Sequence, residues 1–107
     1  MTYAYRKQLE TFRAEVEASI KALLVKHKLR KHTFNEEEVY VIWYDRNGEA
    51  RECVLLGVAI LGEKIIYQVR TTDTDEEVRL DEYSYGAQDP RFLVDTLSEL
   101  EYDLENP

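Results

Sequence analysis

The sequence predicts a single α+β domain, residues 1–107, whose elements follow the order α-β-β-β-β-α. Three observations support this fold class: a helical apolar period before residue 30, alternating β-branched and aromatic residues between residues 39 and 85, and a second helical period after residue 89. A chain of 107 residues has room for one hydrophobic core. We therefore expect a four-stranded antiparallel meander with a long N-terminal helix and a shorter C-terminal helix packed on one face.

The first helix is predicted from Tyr3 to Leu29. No Gly or Pro interrupts this segment, and its apolar residues recur every three or four positions, which places them on one stripe: Tyr5, Leu9, Phe12, Val16, Ile20, Leu23 and His27. A helix of this length spans about 40 Å, whereas a compact domain of this size has a diameter of roughly 33 Å. The helix should therefore overhang its own sheet, and a second copy of the chain would cover the overhanging stripe.

The four strands are predicted at residues 39–44, 50–61, 64–71 and 78–85. Asn47-Gly48 lies between two apolar runs and indicates a tight hairpin, and Gly62-Glu63 indicates a second one. The segment that starts at Asp45 also suits a type I turn with a bulge, which would shift the register of the first strand and exchange its faces. Both geometries of the first turn therefore remain open.

The second helix begins at Asp89-Pro90. Asp is a favoured N-cap residue, and Pro is favoured at the first helical position because it has no N–H to leave unpaired. One face of this helix is apolar nearly to the end of the chain: Phe92, Leu93, Leu97, Leu100 and Leu104. This face should pack against the sheet.

Two-residue turns at both hairpins would place one set of residues beneath the helices: Val39, Val41, Trp43, Val54, Leu56, Val58, Ile60, Ile65, Tyr67 and Val69. The opposite face then mixes aromatic, small and aliphatic side chains, a composition typical of protein interfaces. We expect this face to bind a second copy or another partner through Tyr40, Ile42, Tyr44, Leu55, Gln68 and Arg70. The same face would also carry Arg51, Cys53, Gly57, Ala59 and Ile66.

The formal net charge of −8 is unevenly distributed. Residues 1–32 carry eight Lys or Arg and three acids, a balance of +5, and residues 33–107 carry six and 19, a balance of −13. The basic residues form a strip on the first helix: Arg6, Arg13, Lys21, Lys28 and Lys31. Because the acidic remainder would repel a nucleic acid, we expect the strip to meet acids of the sheet, of the second helix or of a partner. An acidic loop follows the third strand: Asp73, Asp75, Glu76 and Glu77.

No motif in the sequence dictates a catalytic chemistry, a metal site or a cofactor site. His27 and His32 lie five positions apart, about 140° around a helix, so they cannot share a metal ion as an i, i+4 pair can. The acidic loop begins like a calcium loop, but Val78 stands where Gly is required and Ser84 where a bidentate Glu should be. Cys53 lies in an apolar run, which predicts a buried, inert thiol.

We therefore expect a small, acidic, non-catalytic protein-interaction domain that acts as a homodimer, with an unidentified protein as a further partner and neither membrane nor nucleic acid. One alternative is an acidic inhibitor or chaperone-like protein that masks a basic partner. A second is a small enzyme in which Asp81 or Glu82 converges with Tyr83 or Tyr85 in a pocket. A cytoplasmic location is expected because no apolar run approaches the roughly 20 residues of a membrane span and the first residues are charged.

Overall fold

Within residues 3–35, 39–81, 84, 86–87 and 89–106, which the computed structural model describes, the chain forms two helices and a five-stranded antiparallel sheet. The helices are α1 (Tyr3–Lys26) and α2 (Pro90–Glu105), and the strands are β1 (Lys31–Thr33), β2 (Tyr40–Tyr44), β3 (Ala50–Leu61), β4 (Lys64–Thr71) and β5 (Glu77–Leu80). Both helices contribute to the same hydrophobic core, and α1 contacts α2. The predicted α+β class is confirmed, with one strand more than expected.

Helix α1 ends earlier than predicted because its last turn closes in a left-handed cap. Lys28 has φ +60°, its N–H donates to the Val25 carbonyl at 3.0 Å, and the Leu29 N–H donates to the Leu24 carbonyl at 2.8 Å. These two bonds form a Schellman motif, which satisfies carbonyls that the helix end would otherwise leave unpaired. The apolar contact that accompanies such a motif is also present, since Leu24 is buried and Leu29 packs against the same core.

The predicted apolar stripe of α1 is buried only in the C-terminal half of the helix. Val16, Ile20 and Leu24 are buried, whereas residues 4–8 are exposed and Tyr5 keeps half of its surface in solvent. The first two turns therefore extend past the core, as the length of the helix predicts.

Strand β1 was not predicted, and it completes the edge of the sheet that β2 begins. Lys31–Thr33 pairs with residues 57–59 of β3, and β2 pairs with residues 50–54 along the same side. Hydrogen bonds from the Phe34 N–H to the Leu56 carbonyl (2.9 Å) and from the Leu55 N–H to the Val39 carbonyl (2.8 Å) continue this edge between the two strands. β1 and β2 thus act as one interrupted edge strand. Three polar or positively charged residues, Lys-His-Thr, give no alternating pattern from which such a strand could be read.

On the other side of β3 lie β4 and then β5, both antiparallel. β5 ends at Leu80, earlier than the predicted residue 85, because the chain turns at Asp81: the Ser84 N–H donates to the Asp81 carbonyl, and the Asp81 N–H donates to Ser84 Oγ at 3.0 Å. The remaining predicted strand residues Glu82, Tyr83 and Tyr85 lie outside the described part of the chain.

The first hairpin adopts the bulged alternative rather than the two-residue turn. The Gly48 N–H donates to the Asp45 carbonyl at 2.9 Å, and the Asp45 carboxylate accepts from the N–H groups of Asn47 and Glu49 at 2.9 and 3.0 Å. Asp45 therefore organises the whole loop, as Asx turns do. A two-residue turn at Asn47-Gly48 would pair Val41 with Val54. The register of β2 on β3 is shifted by one residue from that arrangement, and Val41 pairs with Cys53.

A bulge at Leu56 reverses the side-chain parity of the first half of β3. Leu55 pairs with Val69 and Gly57 with Gln68, which leaves Leu56 as an extra residue between them. Cys53 and Leu55 therefore belong to the core, and the prediction that Val54 and Leu56 lie beneath the helices was wrong. The shifts at the turn and at the bulge cancel for β2, which is why Val41 still faces the core.

Helix α2 closes the core over the sheet. Asp89 caps it, accepting a hydrogen bond from the Arg91 N–H at 2.9 Å, and Phe92, Leu93, Thr96 and Leu100 are buried. The Phe92 ring meets the Tyr67 ring edge-on, with 5.2 Å between the ring centroids. These contacts confirm the predicted start and apolar face of α2.

Tyr67 also joins the sheet to α1 through a polar network. Its hydroxyl donates to Glu17 Oε2 at 3.1 Å, and Glu17 Oε1 accepts from Arg13 Nη1 at 2.8 Å. Burial, followed by the neighbouring Glu17 carboxylate, raises the pKa of Tyr67 far above its usual value, which keeps the phenol a donor. This network fixes α1 against β4.

Gly86 packs closely against the backbone of Tyr44 in β2. It has φ +80°, and a Cβ built there would lie 2.5 Å from the Tyr44 carbonyl oxygen and 2.6 Å from the Tyr44 nitrogen. Gly48 offers a matched control, because its φ is +78° and a Cβ there would meet nothing within 4 Å.

We predict that Gly86→Ala lowers the free energy of unfolding by about 3 kcal/mol or more, whereas Gly48→Ala lowers it by about 1–2 kcal/mol from left-handed strain alone. Urea denaturation followed by circular dichroism measures both values. Equal losses in the two variants would contradict the close approach of Gly86 to Tyr44.

Candidate functional site

The sheet has one face that no helix of the described chain covers, which we call the open face. It is defined by cross-strand pairing outward from β3 and consists of Lys31, Thr33, Tyr40, Ile42, Tyr44, Ala50, Glu52, Val54, Gly57, Ala59, Leu61, Lys64, Ile66, Gln68, Arg70, Glu77 and Arg79. The core cluster draws on the opposite side chains of the same strands. Most of the predicted partner face therefore lies on one continuous surface.

One end of the open face carries an aromatic ridge formed by Tyr40, Ile42 and Tyr44 of β2. Tyr40 is 56% exposed and Tyr44 37% exposed, while Ile42 between them is half-buried. The Asp45 loop and the packing of Gly86 on the Tyr44 backbone fix this edge of the sheet. Rigidly held tyrosines on an exposed face provide large contact area at a small cost in conformational entropy.

The other end of the open face carries a small-residue groove of about 430 Å³. Gly57, Ala59, Leu56 and Ile66 line it near the middle of the sheet, and the longer side chains of Lys31, Gln68, Glu77 and Arg79 line it from the flanking strands. A Cβ at Gly57 would lie 3.0 Å from the His32 carbonyl oxygen, so β1 passes close to this point. The groove follows from the two small residues on β3.

Between the ridge and the groove, the open face is apolar at its floor. Val54 is only 4% exposed although no helix of the described residues covers it, and its cross-strand neighbours are Tyr40 and Arg70. Leu55, which the sequence placed on this face, is 0% exposed in the core instead, because the bulge turns it inward. The other predicted partner-face residues lie on the open face as expected: Tyr40, Ile42, Tyr44, Gln68 and Arg70.

The acidic loop forms the turn between β4 and β5, and arginines of the sheet hold two of its carboxylates. Asp73 lies 3.7 Å from Arg51, and Asp75, which has φ +57°, lies 3.0 Å from Arg70. Glu76 and Glu77 are exposed, and Glu77 lies opposite Arg70 in the register of β5 on β4. The loop is therefore an ion-paired turn.

The residues of the predicted basic strip lie in three elements instead of one helix face. Arg6, Arg13 and Lys21 are on α1, Lys28 is in the cap that follows, and Lys31 is on the open face in β1. Arg13 pairs with Glu17, and Lys21 Nζ donates to the Glu63 carbonyl. Much of this positive charge is thus used to position α1.

The basic end of α1 meets the acidic end of α2, as the division of charge predicts. Glu105 accepts from Lys26 Nζ at 2.7 Å and lies 3.3 Å from His27 Nε2, and Asp103 lies 2.8 Å from His32 Nε2. The hydrogen bond from Lys26 lowers the pKa of Glu105 below its usual value. No motif in the sequence pairs either histidine with a specific carboxylate.

A cleft of about 710 Å³ lies beside Asp81, one of the residues proposed for an enzymatic pocket. It is lined by Trp43, Asp45, Arg46, Asn47, Val78, Arg79, Leu80, Asp81 and Ser84. Asp81 is the residue of the predicted pocket that lines it within the described chain, and Glu82, Tyr83 and Tyr85 lie outside the described residues. The convergence of those side chains stays a prediction.

Within the residues that the structure describes, no group of three or more His, Cys, Asp or Glu side chains could hold a metal ion. The same part of the chain contains no helix long and apolar enough to cross a membrane. Cys53 is fully buried, and desolvation raises its pKa to about 11. A thiol in this state is a packing group, as its apolar surroundings predict.

No protein-family model, curated protein or solved structure matches this chain. The open face, with its ridge and groove, is the candidate site because of its own geometry.

We predict that Glu105→Gln removes part of the pH dependence of stability in acid. Because the folded-state pKa of Glu105 is lowered, its contribution is present above the ordinary value of 4.5 and is lost as the pH falls through the lowered value. The difference in unfolding free energy between the variant and the wild type should therefore be present near pH 7 and should shrink as the pH falls below 4.5. Glu101→Gln, at an exposed position of α2, is the control; a constant difference across this range would contradict the Lys26–Glu105 pair.

We predict that Cys53 reacts with a thiol reagent only after unfolding. With a pKa of about 11, roughly one thiol in a thousand is ionised at pH 8 even where the reagent has access. Labelling with a chromogenic disulfide should be complete in denaturant and slow in buffer, with Ser98→Cys, at an exposed position, as the positive control. Rapid labelling of native Cys53 would place it outside the core.

Proposed function

We propose that this chain is a small non-catalytic protein-interaction domain that acts as a homodimer through its open face. The observation that carries the proposal is an uncovered sheet face on which Tyr40 and Tyr44 are exposed, while Val54, opposite Tyr40, is buried although no helix of the described residues covers it. Aromatic residues and Arg are enriched at protein interfaces, whereas a sheet face exposed to solvent ordinarily carries polar residues such as Lys, Glu and Thr. A second copy is the proposed occupant because closed two-fold dimers are the commonest soluble oligomers.

The size of the open face suits a modest interface. The face is four strands wide, since β1 and β2 share one edge of the sheet. With strands about 4.8 Å apart and a paired length of roughly 30 Å, its area is on the order of 600 Å² per copy. Two such faces would bury about 1,200 Å², which is the lower bound for stable specific complexes. The proposed interface therefore lies at the small end of the range for specific complexes.

The alternative of an inhibitor or chaperone that masks a basic partner receives less support from the ion pairs. It would use the acidic loop and the end of α2, and carboxylates in both places already bind cations of this chain: Asp73 with Arg51, Asp75 with Arg70, and Glu105 with Lys26. A basic partner would have to displace these groups. The enzyme alternative and the cytoplasmic location stay predictions from the sequence.

The test is sedimentation equilibrium across a concentration series. We predict that the wild type is dimeric and that Tyr40→Ala raises the dimer Kd by about 30-fold or more, since truncation of an interface hot spot costs about 2 kcal/mol. Tyr102→Ala, at an exposed position on α2, should leave the Kd unchanged.

Tyr5→Ala separates this proposal from dimerisation through the overhanging end of α1. A monomeric wild type at all concentrations would refute the homodimer. A dimer weakened by Tyr5→Ala and not by Tyr40→Ala would move the interface to α1.

A further inference from the structure

The ridge and the groove occupy opposite ends of the open face, and this placement has consequences for how two copies can meet. The ridge lies beside residues 50–54 of β3, whereas the groove lies over residues 57–59 of the same strand. Ile42 is opposite Glu52, and Ala59 follows seven residues later, a separation of about 20 Å along an extended strand. A convex feature and a concave feature are therefore displaced along one strand.

A two-fold dimer needs a self-complementary face, in which every contact occurs twice. Consider a two-fold axis that lies between two stacked sheets, runs perpendicular to their strands and passes over β3 at the level between Val54 and Gly57. Rotation about this axis carries the ridge end of each copy onto the groove end of the other. Strands of the two sheets then run roughly antiparallel, which aligned sheet packing permits.

We infer that each open face packs on the other in this orientation, with the aromatic ridge of one copy in the small-residue groove of its partner. The inference rests on the proposed homodimer and adds its geometry. The exposed area of Tyr40 and Tyr44 is then covered where Gly57 and Ala59 leave room for it. Large side chains opposite small ones give the interdigitation that packed sheets require.

One pair of opposite charges on the open face, Glu52 and Lys31, agrees with the same orientation. Glu52 is exposed at the ridge end, and Lys31 is exposed at the groove end, paired with Ala59. They are too far apart to meet within one copy, but the rotation brings Glu52 of each copy near Lys31 of the other. Placing the two sheets with ridge on ridge would instead bring the two Glu52 side chains together, which like-charge repulsion disfavours.

A charge-reversal cycle tests the orientation. Glu52→Lys and Lys31→Glu should each weaken the dimer by about tenfold or more, because each creates two like-charge contacts, and the double variant should return to within about threefold of the wild type. Sedimentation equilibrium gives the Kd values. Glu101→Lys, at an exposed position on α2, is the control and should have no effect.

A mixed disulfide gives a second measurement that does not depend on binding energy. A mixture of the Glu52→Cys and Lys31→Cys proteins should cross-link on oxidation, whereas neither protein should cross-link alone, and native Cys53 is buried.

Three outcomes separate the two proposals. A dimer with charge rescue and the mixed cross-link supports both the homodimer and its orientation. A dimer that Tyr40→Ala weakens, without rescue and without the mixed cross-link, overturns the orientation and leaves the homodimer standing. A wild type that is monomeric at every concentration overturns both.

Discussion

The side-chain parity of β3 is the constraint on which the rest of the structure depends. β3 pairs with β1 and β2 on one side and with β4 on the other, so its alternation decides which residues of the whole sheet face the helices. The bulge at Leu56 reverses that alternation once, which sends Cys53 and Leu55 into the core and leaves Gly57 on the open face. Without the bulge, the β3 side chains before residue 56 would lie on the opposite face of the sheet from the one they occupy.

The bulge also explains why one face can carry both a ridge and a groove. On the ridge side, the one-residue shift of the Asp45 loop compensates the reversed parity, so the tyrosines of β2 point away from the helices. On the groove side, the unreversed half of β3 presents Gly57 and Ala59 on that same face. Two local backbone irregularities therefore produce a surface that regular strands with this sequence would not have.

Local signals predicted the parts of this fold that local chemistry determines. Asp89-Pro90 predicts the start of α2, and the turn at Gly62 predicts the pairing of β4 with β3. Both features are observed. The bulge could not be read in advance, because Leu56 lies in an unbroken apolar run in which either parity buries aliphatic side chains. β1 could not be predicted either. Its residues join the sheet because the cap at Lys28 directs the chain to the edge of β3, and this long-range contact leaves no short pattern in the sequence.

The net charge of −8 overstates the acidity that is available to a partner, because ion pairs within the chain engage several carboxylates. Cations of α1 and of the sheet bind carboxylates at both ends of the molecule, as Lys26 does with Glu105 and Arg70 with Asp75. These pairs neutralise part of the acidic surface within the molecule, so overall acidity is weak evidence for an external basic partner. The open face differs, because it mixes cationic and anionic side chains around an apolar floor. Glu52 at one end of this face and Lys31 at the other can pair with each other between two copies, and this favours recognition between identical chains.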